Sequence, residues 1–133
     1  MADVAAALPH ENTVHETLGI RAVEATPERV VLEMDVGPQV HQLTGILHGG
    51  VSATMAESAA SIGAWLNCDQ ATEAVVGTDL NISHLRAQSE GTVRSIATPI
   101  RIGRSVQVWG IEIVGNDSKL VAVARLTVAV RKI

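Results

Sequence analysis

GGVSATMAESAASIGAWL, which spans Gly49–Leu66, decides the fold class of this 133-residue chain. Its small and apolar residues run for 18 positions without alternation and without proline, so the stretch predicts an α-helix rather than a strand. Glu57 is its only charged residue. A solvated helix face usually carries several long polar side chains, so the pattern favours a helix wrapped by a sheet, with Glu57 buried or in a cleft. The alternative is an ordinary surface glutamate.

Strand-like segments lie on both sides of this helix. Residues 19–36 predict two strands around a turn at Thr26-Pro27. Four more strands are predicted after the helix, at 74–86, 92–102, 105–114 and 120–130. Turn-forming residues separate these four, so successive strands should pair antiparallel. The order β-β-α-β-β-β-β predicts an α+β fold, in which a long central helix is wrapped by a strongly curved antiparallel sheet.

The length predicts a single domain that spans residues 1–133. Residues 1–12 are expected to be a flexible lead-in, and residues 12–18 a short helix. Two Trp are present but no Phe or Tyr, so the core must consist mainly of Val, Ile, Leu and Ala. A platform that stacks single-stranded nucleic acid needs aromatic residues that this chain lacks. No nucleic-acid partner is therefore expected.

Charge is distributed unevenly along the chain, although the net charge is only -4. Residues 1–85 contain 2 basic and 11 acidic residues, whereas residues 86–133 contain 8 basic and 3 acidic residues, so the two parts carry -9 and +5. Such asymmetry can indicate a site for an anionic ligand in the C-terminal part. The alternative is that the two parts neutralise each other in the fold.

Several kinds of site and location have no signature in this sequence. Cys68 is the only cysteine, which excludes an intrachain disulfide and fits a reducing, cytoplasmic setting. No run reaches the roughly 18 consecutive apolar residues of a membrane span, so no membrane association is expected. The five histidines have no metal-ligand spacing, and no nucleophile-elbow or phosphate-loop pattern is present. We expect no metal.

His48-Gly49-Gly50 stands at the predicted start of the helix. Glycines at this position allow close backbone approach and leave N–H groups that point outward. With the helix dipole, such donors could polarise a carbonyl group and hold a developing oxyanion. An ordinary loop-to-helix junction would have the same sequence, so the Gly-Gly pair alone is a weak signal.

The pattern Gln42-x-x-Gly45-x-x-His48-Gly49-Gly50, followed by Ala56-Glu57-Ser58 and Ser61, resembles the hotdog-fold acyl-CoA thioesterases. Within that family, the pattern resembles the PaaI-like branch. This branch includes the Arthrobacter-type 4-hydroxybenzoyl-CoA thioesterase, the 1,4-dihydroxy-2-naphthoyl-CoA thioesterase and the enterobactin proofreading thioesterase. The resemblance covers roughly residues 15–130. It continues in Val76-Gly77, in residues 81–86, in Gly103-Arg104-Ser105 and in residues 107–109.

The resemblance implies a homodimer with shared active sites, in many members paired again into a homotetramer. Glu57 from one subunit would act as nucleophile or general base, and Gly49 N–H from the other would bind the thioester oxygen. Gln42 would orient the thioester or the water, Ser61 would help to hold water, and His48 would position the thioester or the leaving group. No cofactor is implied, since coenzyme A is part of the substrate.

The family binds coenzyme A through residues that match a further set in this chain. They are Gly77, His84, Leu85, Arg86, Ala87, Arg101, Ile102, Gly103, Arg104, Ser105 and Val106. The arginines suit the three phosphates of coenzyme A, because guanidinium groups bind phosphate in two-pronged fashion. The resemblance therefore implies hydrolysis of an aryl- or medium-chain acyl-CoA. Proofreading of a mis-acylated carrier protein, or a non-catalytic acyl-CoA-binding module, are the alternatives.

Overall fold

Six strands form a single antiparallel sheet around one long helix in the computed structural model, which describes residues 2–133. The helices are α1 (Val14–Leu18) and α2 (Gly49–Leu66), and short 3-10 turns occupy Ala5–Ala7 and Pro38–Val40. The strands are β1 (Ile20–Thr26), β2 (Arg29–Asp35), β3 (Glu73–His84), β4 (Thr92–Ile102), β5 (Val106–Gly115) and β6 (Leu120–Lys132). The predicted α+β architecture and the bounds of α2 are confirmed.

Helix α2 packs its small side chains against the sheet, and these small residues set how closely helix and sheet approach. Ala56, Ala59 and Ala60 are completely buried. At Gly63 an added Cβ would lie 2.4 Å from a ring carbon of Trp109 on β5, so only glycine fits beneath the indole. One face of α2 nevertheless remains open in the single chain. Glu57 and Trp65 are exposed there, so the predicted burial of Glu57 is wrong for the isolated subunit.

Buried polar side chains also attach α2 to the sheet. Ser95 on β4 donates its hydroxyl to the Met55 carbonyl at 3.0 Å, in the middle of the helix. Gln107 on β5 donates to the Ala64 carbonyl at 3.2 Å and accepts the indole N–H of Trp109 at 2.9 Å. Each of these buried polar side chains therefore has a partner, which avoids the cost of leaving it unpaired. These bonds fix the position of α2 along its own axis.

The strand order is β1-β2-β4-β5-β6-β3, and every neighbouring pair is antiparallel. The prediction that consecutive strands pair is wrong at one point. β3 pairs with β6, and β4 pairs with β2, so residues 85–91 form a crossover rather than a hairpin. As a result, β3 is an edge strand of 12 residues whose second side has no partner strand among residues 2–133.

Charge pairs cross the outer face of the sheet. Glu33 on β2 accepts from Arg21 on β1 and from Arg94 on β4, both at 2.7 Å. Lys132 pairs with Glu73 at 3.6 Å. The pairs of Glu33 with Arg94 and of Glu73 with Lys132 each join the acidic and the basic parts of the chain. Within residues 2–133, no helix is long and apolar enough to cross a membrane.

Candidate active site

The N-terminus of α2 has one free backbone donor. His48 is the N-cap residue, and its Nδ1 accepts the Gly50 N–H at 2.8 Å. The lone pair must therefore be on Nδ1, which puts the proton of the neutral ring on Nε2. The prediction that the glycines leave N–H groups free thus holds for Gly49, whose N–H has no acceptor among residues 2–133, but not for Gly50. This donor lies at the positive end of the helix dipole.

A cleft of about 390 Å³ opens in front of Gly49. The Nε2 atom of His84 lies 3.1 Å from the position that a Cβ on residue 49 would take, so the imidazole covers the start of the helix. The cleft walls bring together Gln42 and Gly49, which were predicted to be catalytic, and residues 84–87, which were predicted to bind coenzyme A. The other lining residues are Ile46, Leu47, Ser52 and Val121. His48 instead lines a separate depression beside the exposed loop 41–44.

Glu57 lies away from this cleft, against the backbone of β3. Its Oε2 is 2.7 Å from the position that a Cβ on Gly77 would take, so the absence of a side chain there makes room for the carboxylate. The strand bulges immediately afterwards, because the register with β6 slips between Gly77 and Asp79. Such bulges are frequent beside active sites. No hydrogen-bond donor in the described part of the chain pairs with the Glu57 carboxylate.

A single subunit does not bring Glu57 and Gly49 together. They are eight residues apart on one helix, which separates them by about 12 Å along its axis. Ser61 is one turn beyond Glu57 and half-buried, and it shares the Glu57 face of the helix.

The residues predicted to bind coenzyme A also fall into two groups. His84 pairs with Ala122 near the start of β6, whereas Val106 pairs with Ala129 near its end. Seven residues of β-strand correspond to about 23 Å. Gly77 pairs with Val128, so Glu57 lies at the same end as the 101–106 hairpin. One end of the subunit thus has Gln42, Gly49 and residues 84–87, and the other end has Glu57, Gly77 and residues 101–106.

Comparison with known protein families decides the classification. The family model described as Thioesterase superfamily matches residues 44–122, which is more than half of the chain. The chain belongs to the thioesterase superfamily. The predicted resemblance, the hotdog fold and the class of enzyme, a thioester hydrolase, are confirmed.

This thioesterase is 42% identical over 119 residues to the 1,4-dihydroxy-2-naphthoyl-CoA hydrolase of Listeria monocytogenes, covering 90% of this chain and 96% of the relative. It is 38% identical over 120 residues to the proofreading thioesterase EntH of Klebsiella pneumoniae, covering 90% and 87%. A crystal structure of a mutant thioesterase from Pseudomonas aeruginosa superposes with a TM-score of 0.90 at 36% identity. It covers 93% of this chain and 89% of that one.

A Staphylococcus aureus thioesterase has been crystallised with a glutamate replaced by alanine, and separately with a glutamine replaced by alanine. The first structure has a TM-score of 0.89 at 31% identity, covering 91% of this chain and 100% of that one. The second has a TM-score of 0.86 at 31% identity, covering 89% and 98%. The two substituted positions are 15 residues apart in that protein's numbering. Gln42 and Glu57 are separated by the same interval.

The arginines of this thioesterase differ in their surroundings. Arg86 donates to Asp117 at 2.6 Å, and this contact, with the Lys119 N–H, holds the pKa of the Asp117 carboxyl below its usual range. Arg101 and Arg104 form no ion pair with any residue that the structure describes. The guanidinium groups of the 101–106 hairpin are therefore available to bind an anion, whereas Arg86 already has a carboxylate partner.

Two features of the site were missed in the sequence. Ser52 is buried and lines the cleft, and its position three residues after Gly49 on a helix was the signal that could have revealed it. Gly77 was predicted to contact coenzyme A, and the space beside its Cα, where a Cβ would lie, holds the Glu57 carboxylate. This proximity joins a helix and a strand 20 residues apart, and nothing local in the sequence indicates it.

Proposed function

We propose that this protein hydrolyses acyl-CoA thioesters in active sites that two subunits share. The observation that carries the proposal is the division of the site. Each subunit presents Gly49 with residues 84–87 at one end of β3, and Glu57 with residues 101–106 at the other. A twofold axis between two copies would bring complementary ends together, because such an interface places the same surface of each subunit against the other.

The unpaired edge of β3 supplies the means of assembly. A 12-residue edge strand presents a row of free backbone N–H and C=O groups, and a second copy can satisfy them. Antiparallel pairing of two β3 strands would bring Gly77 close to His84 of the partner subunit. Glu57 would then face the Gly49 N–H of the partner subunit. Pairing of two such dimers would give a homotetramer.

The proposed reaction begins with the thioester oxygen bound to the Gly49 N–H. Water attacks the carbonyl carbon while Glu57 of the other subunit takes its proton, and the C–S bond breaks as the tetrahedral intermediate collapses. The products are a carboxylic acid and coenzyme A, whose sulfur receives the proton. In the alternative route Glu57 attacks directly and water then hydrolyses the mixed anhydride. Gln42, Ser61 and His48 have the positioning roles that the resemblance implies.

Coenzyme A would lie between the two groups of residues at the interface. The unpaired Arg101 and Arg104 would bind phosphate, with residues 84–87 of the other subunit beside them. No cofactor is needed for this reaction. A reduced Cys68 and a coenzyme A substrate both favour the cytoplasm.

The relatives support the acyl-CoA class, since the Listeria monocytogenes protein is named as a hydrolase of a CoA thioester. The equal spacing of the glutamine and glutamate in the Staphylococcus aureus protein supports Gln42 and Glu57 as a functional pair. A second candidate, proofreading of an acylated carrier protein, is favoured by the similarity to EntH. Charge-removing substitutions of Arg101 and Arg104 should impair CoA thioesters more than carrier thioesters.

The first experiment measures release of coenzyme A from a panel of aryl- and fatty acyl-CoAs. Glu57→Ala and Glu57→Gln should each lower kcat by about 10²-fold or more, as expected for a residue that acts directly in the chemistry. Glu112→Gln is the matched control, because this glutamate is also exposed but lies on β5. Full activity of Glu57→Ala would refute the mechanism.

The second experiment tests whether the site is shared. Glu57→Ala and Gln42→Ala subunits are denatured together and reassembled. Random pairing makes half of the dimers hybrid, each with one intact site, so activity should recover to about a quarter of the wild-type value. If both residues served one site within a subunit, the mixture would stay as inactive as the separate variants.

A further inference from the structure

An apolar cavity of about 260 Å³ lies at the C-terminal end of α2, outside the cleft at Gly49. Gln70 contributes the only polar side chain of its walls. The lining residues are Val4, Ala7, Leu8, Pro9, Trp65, Leu66 and Gln70. An apolar cavity of about 150 Å³ is sufficient to bind benzene, so this one can hold a ring or an alkyl tail.

Among the residues that line this cavity, Trp65 gives the clearest indication of what the cavity does. The chain has two tryptophans, and Trp109 is completely buried, whereas Trp65 is 40% exposed. An indole that remains exposed beside a concave apolar surface is typical of a surface that binds a ligand or a second subunit rather than of the core.

The opposite wall is held in place by backbone contacts. The Oδ1 atom of Asp3 accepts the N–H groups of Ala5 and Ala25, each at 2.9 Å. The Val4 N–H donates to the Ala25 carbonyl at 3.0 Å. These bonds attach residues 3–5 to β1, and residues 4–9 continue from there along the cavity. The N-terminal segment is therefore part of the wall, although it was expected to be a lead-in.

A row of side chains on α2 leads from the proposed catalytic face to the cavity. Glu57, Ser61 and Trp65 follow one another at intervals of four, so they lie in one row on the surface of α2. Trp65 is about 12 Å beyond Glu57 along the helix axis. A benzoyl group attached at the catalytic end is too short to cover this distance, whereas an extended chain of about eight to ten carbons covers it.

We propose that Trp65 and the segment Val4–Pro9 form the distal end of the acyl-binding site, which selects medium-chain aliphatic acyl groups over benzoyl groups. This inference rests on the proposed function, because it takes the thioester to be at Glu57. The row on α2 leads from the carboxylate to the indole, and the acyl tail is the apolar part of the substrate. A side chain from a second copy, such as the fully exposed Leu43, is the competing occupant.

The test compares kcat/KM for saturated acyl-CoAs of four to fourteen carbons and for benzoyl-CoA. Wild type should prefer the eight- to ten-carbon substrates. Trp65→Ala should lower kcat/KM for decanoyl-CoA about tenfold and change butyryl- and benzoyl-CoA less than twofold, since only the longer tail reaches the indole. Leu8→Trp should fill the cavity and move the preference to shorter chains. Ile100→Ala, at an exposed apolar residue of β4, is the matched control.

Binding provides a readout that does not require hydrolysis. A non-hydrolysable decyl thioether of coenzyme A should change the fluorescence of Trp65, and Trp65→Phe should abolish that change. The butyl thioether should produce little change. Absence of hydrolysis with a tail-dependent signal would refute the proposed reaction but support the subsite. Equal effects of Trp65→Ala on all chain lengths, or a shift in oligomeric state caused by that variant, would refute the subsite.

Discussion

The carboxylate of Glu57 lies beside the backbone of Gly77, with Oε2 only 2.7 Å from the position that a Cβ on residue 77 would take. The contact occurs where β3 bulges, immediately before Asp79. A catalytic carboxylate must keep its position to within a fraction of an ångström, because a displacement of about 1 Å can lower the rate about 10²-fold. Gly77 thus provides the space in which the carboxylate lies.

Gly77→Ala should separate activity from stability. The new methyl group would displace the flexible carboxylate, so kcat should fall at least tenfold. The free energy of unfolding should change by less than about 1 kcal/mol, because the next neighbour, Leu126, lies at an ordinary contact distance. Kinetics and urea unfolding measure the two quantities. The added methyl group of Gly110→Ala on β5 would meet Ile100 and the Thr98 carbonyl at ordinary contact distances, so this control should change neither quantity. An active Gly77→Ala enzyme would contradict the role of the space at Gly77.

Gly49→Ala should lower activity through His84. A Cβ at residue 49 would lie 3.1 Å from Nε2 of His84 and would push the imidazole into the cleft. We expect about a tenfold loss in kcat/KM without loss of stability, since alanine is favoured over glycine in a helix by up to about 1 kcal/mol. A double-mutant cycle with His84→Ala tests the cause. If the loss persists in full without the imidazole, the steric explanation is wrong.

The sequence predicted what depends on local pattern. The bounds of α2 follow from an unbroken apolar run, and those of β4 from turn residues on both sides. Ser89-Glu90-Gly91 led to the wrong prediction of a hairpin between β3 and β4, because the same turn-forming residues occur in hairpins and in crossovers. The exposure of Glu57 could not be predicted from helix composition, because a face that would be covered by a second subunit has the same small, uncharged residues as a buried one. The contact of Glu57 with Gly77 depends on tertiary packing alone.

Gly63→Ala should destabilise the fold. Its methyl group would lie 2.4 Å from the ring of the completely buried Trp109, and overpacking of this kind costs about 1–3 kcal/mol. Urea unfolding should show the lower free energy of unfolding. The double variant Gly63→Ala with Trp109→Phe has a smaller ring, so it should lose less stability than the sum of the two single changes. If the double variant is less stable than the sum of the single changes predicts, the indole is not the source of the strain.

Glu33 should make stability depend on pH. Hydrogen bonds from Arg21 and then Arg94 hold the pKa of the Glu33 carboxyl below its ordinary value of 4.5. A lowered folded-state pKa contributes stability above the unfolded value and loses it as the pH falls through the folded value. Glu33→Gln should therefore cost about 1 kcal/mol or less at pH 7, and progressively less below pH 4.5. Urea unfolding between about pH 3 and pH 7 measures the difference in free energy of unfolding between wild type and Glu33→Gln. Glu28→Gln is the control, because Glu28 forms no ion pair with the residues that the structure describes. A difference that does not change with pH would contradict the linkage.

The faces of β3 limit the registers in which two copies can pair. Leu80 and Ile82 are half-buried towards α2, whereas Asn81 is exposed between them. Directly opposite residues of an antiparallel pair lie on the same face of the sheet. An axis between two residues would place Leu80 or Ile82 opposite a residue that points to the other face. The twofold axis must therefore pass through a residue. An axis at Asn81 places residue 78, the bulged residue, opposite His84 of the partner subunit. Gly77 then lies one residue from His84 of the partner subunit, as a shared site requires.

Asn81→Cys should therefore form a disulfide between subunits. Opposite Cα atoms in an antiparallel pair are about 4.5–5.5 Å apart, within the range that a disulfide spans. Ser83→Cys is the matched control, because the two copies of residue 83 would be four positions out of register, about 13 Å apart. Both variants are made with Cys68→Ser, oxidised and separated on a non-reducing gel. A crosslinked dimer of Asn81→Cys alone is the expected result, whereas preferential crosslinking through Ser83→Cys would place the axis elsewhere and separate Glu57 from Gly49 of the partner subunit.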